Sequence, residues 1–178
     1  ARKAAAKSLV LLKNDDVLPL NKDIRNLYVL GPYATDGEIL LGNYYGASGN
    51  LVTILEGIVS KVSLGTTVQY KHAFLADREN INPSDWSTSE AHDYDAIIVT
   101  MGISGLIEGE EGESIASPHK GDRPDISLPE NQVKYMKKLR SKGDKPIIVV
   151  MTGGSPISFP GVYDMADAVI WAWYPGEQ

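Results

Sequence analysis

The chain has 178 residues, 43% of them hydrophobic, which is enough for one domain with a sizeable core and does not fit disorder. Its formal net charge is −6 and its densest basic cluster is Lys137-Lys138-Leu139-Arg140, so it lacks the basic face that phosphate binding needs and a nucleic-acid partner is not expected. The absence of cysteine excludes thiol catalysis, thiolate metal sites and disulfides, and no apolar run approaches the ~20 residues of a membrane span.

In chain order, Arg2 to Leu12 is Ala-rich and reads as a helix, broken by Asn14-Asp15-Asp16. Leu18-Pro19-Leu20 is an extended connector. LYVL, Leu27 to Leu30, is a short buried strand that runs into a turn at Gly31-Pro32. A short amphipathic helix follows over Ile54 to Val62, and a second strand over Thr67 to Tyr70. Ser84 to Asp93 is helix-compatible, starting near Pro83 or Ser84. AIIVTM, Ala96 to Met101, is a third strand, apolar on both faces. Pro129 to Lys142 carries the strongest helical pattern: Pro129 at its first position, Glu130 in its first turn, Val133, Met136 and Leu139 on one face, and Gly143 at its end. PIIVVM, Pro146 to Met151, and AVIWAW, Ala168 to Trp173, complete a set of five strands. The chain opens inside a helical pattern and closes directly after a strand, so both ends read as cut from a larger protein.

Strands that are apolar on both faces and alternate with helices predict an α/β three-layer sandwich. Its sheet is mainly parallel, with helices on both faces, as in flavodoxin-like folds. Functional loops in such folds lie at the carboxyl ends of the strands. That rule selects Gly31 to Tyr45, Gly102 to Asp125, Gly153 to Phe159 and Tyr174 to Gln178.

The longest non-periodic stretch, Gly102 to Asp125, contains IEGEEGES, with Glu108, Glu110, Glu111 and Glu113 in eight residues. Crowded carboxylates raise at least one pKa, and partial desolvation raises it further. A glutamic acid then becomes a proton donor near neutral pH. A solvated acidic loop is the plain alternative. Calcium loops alternate acidic residues around a glycine turn and end on a glutamate, a spacing absent here. His119 is the only histidine nearby, so no metal and no cofactor are expected. Asp122 and Arg123 close the loop and are read chiefly as its anchors. Tyr44 and Tyr45, beside flexible glycines, either wall a sugar ring or pack under their loop. Neither GxxxxGK[ST] nor GxGxxG occurs, which argues against a nucleotide site, and no G-x-S-x-G elbow supports a serine hydrolase. His72, His92 and His119 read as ordinary residues, and Trp171 and Trp173 as core or domain-interface residues.

Several segments in order resemble glycoside hydrolase family 3. SLVLLKNDDVLPL resembles the start of that family's second domain, LYVLGPYA its V-x-GP-x-A turn, and LGNYYG its Gly-aromatic loop. IEGEE with KGDRPDISLPENQ is similar to its acidic loop and the "DR…LP…Q" start of a helix. KPIIVVMTGGSPIS and WAWYPGEQ are similar to its last strands. The resemblance implies a β-glucosidase or β-xylosidase type of enzyme, acting on non-reducing ends of β-linked oligosaccharides. It implies a preceding (β/α)8 barrel domain as partner, with the nucleophilic aspartate and most of the sugar pocket, and a general acid/base on the loop corresponding to IEGEEGES. The isolated 178 residues are then expected to be inactive. By position in the family's E-x-E-G-x-D-R form the acid/base is Glu110. Here Glu111 replaces the glycine and ten residues stand between it and Asp122, so Glu108 and Glu111 stay in contention. The same departure keeps a non-catalytic sugar-binding or scaffolding domain as the alternative. A polysaccharide-degrading role implies a periplasmic or secreted location.

Overall fold

The computed structural model describes residues 1–43, 45–82, 84–109 and 121–177. A six-stranded sheet is built from β1 (Val10–Asn14), β2 (Asn26–Leu30), β3 (Thr67–Lys71), β4 (Ala96–Gly102), β5 (Ile147–Thr152) and β6 (Ala168–Trp173). Their spatial order is β1-β6-β5-β4-β2-β3. β2 to β6 are mutually parallel, and β1 lies antiparallel on the outer edge of β6. Counted without β1, the parallel strands stand in the 2-1-3-4-5 order of flavodoxin-like sheets. The fold class is therefore the expected one.

The central strand β4 is buried along its whole length, which explains why its sequence is a continuous apolar run rather than an alternating one. One face of the sheet carries Tyr28, Ile97, Val99, Val149 and Trp171 and packs against Met136 and Leu139 of α5 (Glu130–Arg140) and Val162 of α6 (Pro160–Met165). The opposite face carries Val29, Ile98 and Ile148 and is covered by Leu55 and Ile58 of α2 (Ile54–Val59) together with Val17, Leu18 and Leu20. A capping box fixes the start of α2: Thr53 accepts the Glu56 N–H, and the Glu56 carboxylate accepts the Thr53 N–H.

Three expectations are corrected. The first helix, α1 (Arg2–Ser8), stops at Ser8 rather than Leu12, and Val10 to Asn14 form a sixth strand. Pairing with β6 overrides the helical preference of the Ala-rich start, because the ladder satisfies backbone groups along an otherwise open sheet edge. The helix expected over Ser84 to Asp93 shrinks to one α turn, α3 (Ser87–Glu90), and a 3-10 turn. Asp85 sets its start by accepting the N–H groups of Ser87 and Thr88 at 2.9 and 3.3 Å. The stretch after β4 also contains a helical turn, α4 (Gly105–Glu108). Trp171 is buried against Phe159, whereas Trp173 is 41% exposed and donates its indole N–H to the Ser8 carbonyl at 3.0 Å. Among the described residues no helix is long and apolar enough to cross a membrane.

Candidate active site

The parallel strands β2, β4, β5 and β6 deliver their following loops to one rim. The strand order reverses between β2 and β4, so the loops after these two diverge and leave a crevice. The exit of β4 is tightly determined. Gly102 has φ +123°, and a Cβ there would lie 2.0 Å from the Thr152 carbonyl oxygen, so only glycine fits. The fully buried side chain of Gln132, in the first turn of α5, grips this point from both sides. Its Oε1 accepts the Gly102 N–H at 2.9 Å, and its Nε2 donates to the carbonyls of Gly102 at 2.7 Å and Ala76 at 2.6 Å.

Beyond Gly102 the chain turns through Ser104 into α4, whose last residue is Glu108. The Asn43 side chain, from the loop after β2, occupies the space where a Cβ on Gly105 would stand. Both carboxylate oxygens of Glu108 accept hydrogen bonds. Oε1 receives the N–H groups of Gly154 at 2.9 Å and Ser155 at 2.6 Å, from the loop after β5. Oε2 receives the Tyr174 hydroxyl at 2.6 Å, from the end of β6. The Tyr174 ring sits between two glycines: a Cβ on Gly42 or on Gly154 would come within 2.9 or 2.7 Å of it. Burial, reinforced by the hydrogen bond to Glu108 and its charge, holds the Tyr174 phenol well above its ordinary range, so it stays a proton donor in this bond.

Arg123 donates to Ser155 Oγ at 3.0 Å and to the Pro156 carbonyl at 2.9 Å, which ties the far end of the acidic stretch to the same β5 loop that holds Glu108. Asp122 is exposed beside it. These groups line an open cleft of about 560 Å³ together with Asn43, Gly109 and Ser155. The cleft is solvent-accessible and lined by carboxylates, a guanidinium, an amide and a hydroxyl, a setting suited to binding a hydroxyl-rich ligand and to moving protons.

Of the residues singled out from sequence, Glu108, Asp122 and Arg123 are brought together at this cleft. Tyr45 is half-exposed on the loop after β2. Tyr44, Glu110, Glu111, Glu113 and His119 lie outside the described residues. Sequence reasoning selected the loops Gly153 to Phe159 and Tyr174 to Gln178 by their place after strands but gave Tyr174 and the Gly154 and Ser155 amides no role, and it passed over Gln132. The available signals were WAWYPGEQ and SLPENQ, quoted for resemblance but given no chemistry.

The glycosyl hydrolase family 3 C-terminal domain model matches residues 9–178. An exo-1,4-beta-xylosidase of Emericella nidulans is 35% identical over 179 residues, covering 99% of this chain and 21% of that protein. A probable beta-D-xylosidase of Arabidopsis thaliana is 32% identical over 178 residues, covering 98% and 22%. The solved structure of a GH3 exo-beta-xylosidase in complex with a xylobiose aziridine activity-based probe superposes with a TM-score of 0.81 at 33% identity, covering 99% of this chain and 22% of that one. A beta-glucosidase from Listeria innocua in complex with gluconolactone superposes with a TM-score of 0.77 at 26% identity, covering 99% and 23%. The chain spans about a fifth of the length of the curated relatives it matches.

Proposed function

The chain belongs to glycosyl hydrolase family 3 as its C-terminal α/β domain, and from that premise we propose that it carries the general acid/base loop of a retaining exo-acting β-glycosidase. β-Linked xylosides, then glucosides, are the substrate class. The xylosidase relatives share more sequence with it than the Listeria glucosidase does. The observation that carries the reading is the site of the acidic stretch. Its root, Glu108, stands on the carboxyl rim after β4, held by the loops after β5 and β6 and facing a cleft with Asp122 and Arg123.

In a retaining mechanism two carboxyls stand about 5–5.5 Å apart. An aspartate of a (β/α)8 barrel domain attacks the anomeric carbon. A glutamic acid of this loop, Glu110 by position and otherwise Glu108 or Glu111, protonates the departing glycosidic oxygen. As a carboxylate it then takes a proton from the water that hydrolyses the glycosyl-enzyme. Tyr44 and Tyr45 wall the leaving-group side, and Asp122 and Arg123 anchor the loop. The bonds from Arg123 to Ser155 and Pro156 support that last role.

The test is Glu110→Ala in the full-length protein. Hydrolysis of unactivated disaccharides falls about 10²–10⁴-fold, substrates with good leaving groups are spared, and azide restores turnover. Unchanged kinetics on disaccharides would overturn the assignment to Glu110.

A further inference from the structure

We infer that Glu108 is not the proton donor of the acidic loop but the positioning carboxylate at its root, and that Tyr174 is the positioning residue that holds it. The inference rests on the proposed function and narrows which carboxyl does the chemistry.

The hydrogen-bond inventory is the first argument. Glu108 receives three donors, and two of them, the Gly154 and Ser155 amides, cannot reverse direction. The third is a hydroxyl at 2.6 Å. To hand a proton to a substrate oxygen, Glu108 would have to leave this nest and break bonds to two different loops. A group that shuttles a proton twice per turnover needs one oxygen free to face the substrate, and neither oxygen of Glu108 is free of a protein donor.

The seat of Tyr174 is the second argument. Its ring occupies a slot open only because Gly42 and Gly154 lack a Cβ. The chain is turned into that slot by an irregularity at the end of β6. Met151 pairs with Trp171 but Thr152 pairs with Trp173, leaving Ala172 as the extra residue, and Trp173 has φ +61°. Bulky residues rarely adopt that conformation, and it persists where the surroundings over-determine it. Bulges of this kind re-aim the next side chain. Three strand ends are thus committed to holding one carboxylate. Glu108 closes α4, and Gly109 with φ +70° turns the chain away immediately after it. Fixing Glu108 therefore fixes the point and direction in which the chain leaves α4 at Gly109.

The test uses the full-length protein with xylobiose for kcat/KM and the pH profile, an aryl β-xyloside for the azide arm, and the variants Glu108→Gln, Glu108→Ala and Tyr174→Phe. A glutamine still accepts both amides through its carbonyl oxygen and can donate to the tyrosine hydroxyl. Glu108→Gln therefore keeps kcat/KM within about tenfold of the parent, whereas Glu108→Ala loses about 100-fold and Tyr174→Phe about tenfold. In Glu108→Gln and Tyr174→Phe the alkaline limb of the pH profile persists and azide gives no acceleration. Circular dichroism and melting temperature check folding. Should Glu108→Ala not fold, the comparison of the two near-isosteric variants carries the test. Glu108→Gln as inactive as Glu108→Ala, with the alkaline limb lost and azide rescue gained, overturns the inference and leaves the proposed function standing. Parental activity in all three variants overturns it as well. If Glu110→Ala and Glu111→Ala also keep their alkaline limbs and ignore azide, the acid/base is not on this loop, and both readings fall together.

Discussion

Gln132 satisfies three backbone groups with one side chain at the point where β4 ends. Its replacement by leucine keeps comparable bulk but leaves the Gly102 N–H and the Gly102 and Ala76 carbonyls without that partner in a buried setting. Losing these bonds is expected to destabilise the domain by about 2–4 kcal/mol. The check is thermal unfolding together with hydrogen exchange over residues 96–107, which should speed up in Gln132→Leu; parental exchange would refute the clamp. The same residue shows why site chemistry was only partly legible in the sequence. A glutamine in the first turn of a helix ordinarily faces water, and nothing local reveals that the fold buries it. Within IEGEEGES nothing distinguishes Glu108 from its neighbours either. The groups that single it out, Gly154, Ser155 and Tyr174, are 46, 47 and 66 residues away along the chain. The place of the cluster's root, Glu108, on the carboxyl rim was legible, because it closely follows a strand apolar on both faces.

At the scale of elements, β2, β4, β5 and β6 were readable from short runs of β-branched and aliphatic residues, and α5 from its 3.6-residue period. β1 was not, because Val10-Leu11-Leu12 continues an Ala-rich helical pattern and only the open edge of β6 makes it a strand. α3 was overextended because polar residues compatible with a helix do not say where the chain leaves it. Its start is held by Asp85, which also accepts from the side chains of Ser87 at 2.5 Å, Thr88 at 2.7 Å and Lys138 at 2.9 Å. Burial works to raise the Asp85 pKa, but the hydrogen bonds from Ser87, Thr88 and Lys138 outweigh it and lower it to about 2. The folded-state pKa lies below the unfolded value near 3.8, so Asp85 contributes stability that is fully present above pH ~4 and is lost as pH falls toward 2. Asp85→Asn should lower stability by about 2 kcal/mol at neutral pH and flatten the dependence between pH 4 and 2. Urea titrations at several pH values measure both; an unaltered slope in the variant would refute this role.

For the whole molecule, the parallel order with its reversal between β2 and β4 gathers four loops on one rim. On the proposed mechanism the second carboxyl comes from another domain. The isolated 178 residues should therefore release no nitrophenol from an aryl β-xyloside above the uncatalysed rate, while remaining folded by circular dichroism. Turnover by the isolated chain at the rate of the full-length protein would sink the two-carboxyl division.

The edge strand has a mechanical meaning as well. Because β1 runs antiparallel to β6, Val10 pairs with Trp171, and the Trp173 indole reaches Ser8. Residues 8 and 173 are therefore neighbours at the same end of the pair. A force drawing the two flanks apart would not shear this ladder, with all its bonds loaded at once. It would unzip the ladder, one bond after another, starting at Trp173. The residue next in line is Tyr174, so tension on this corner of the domain would reach the grip on Glu108 before it reached the core.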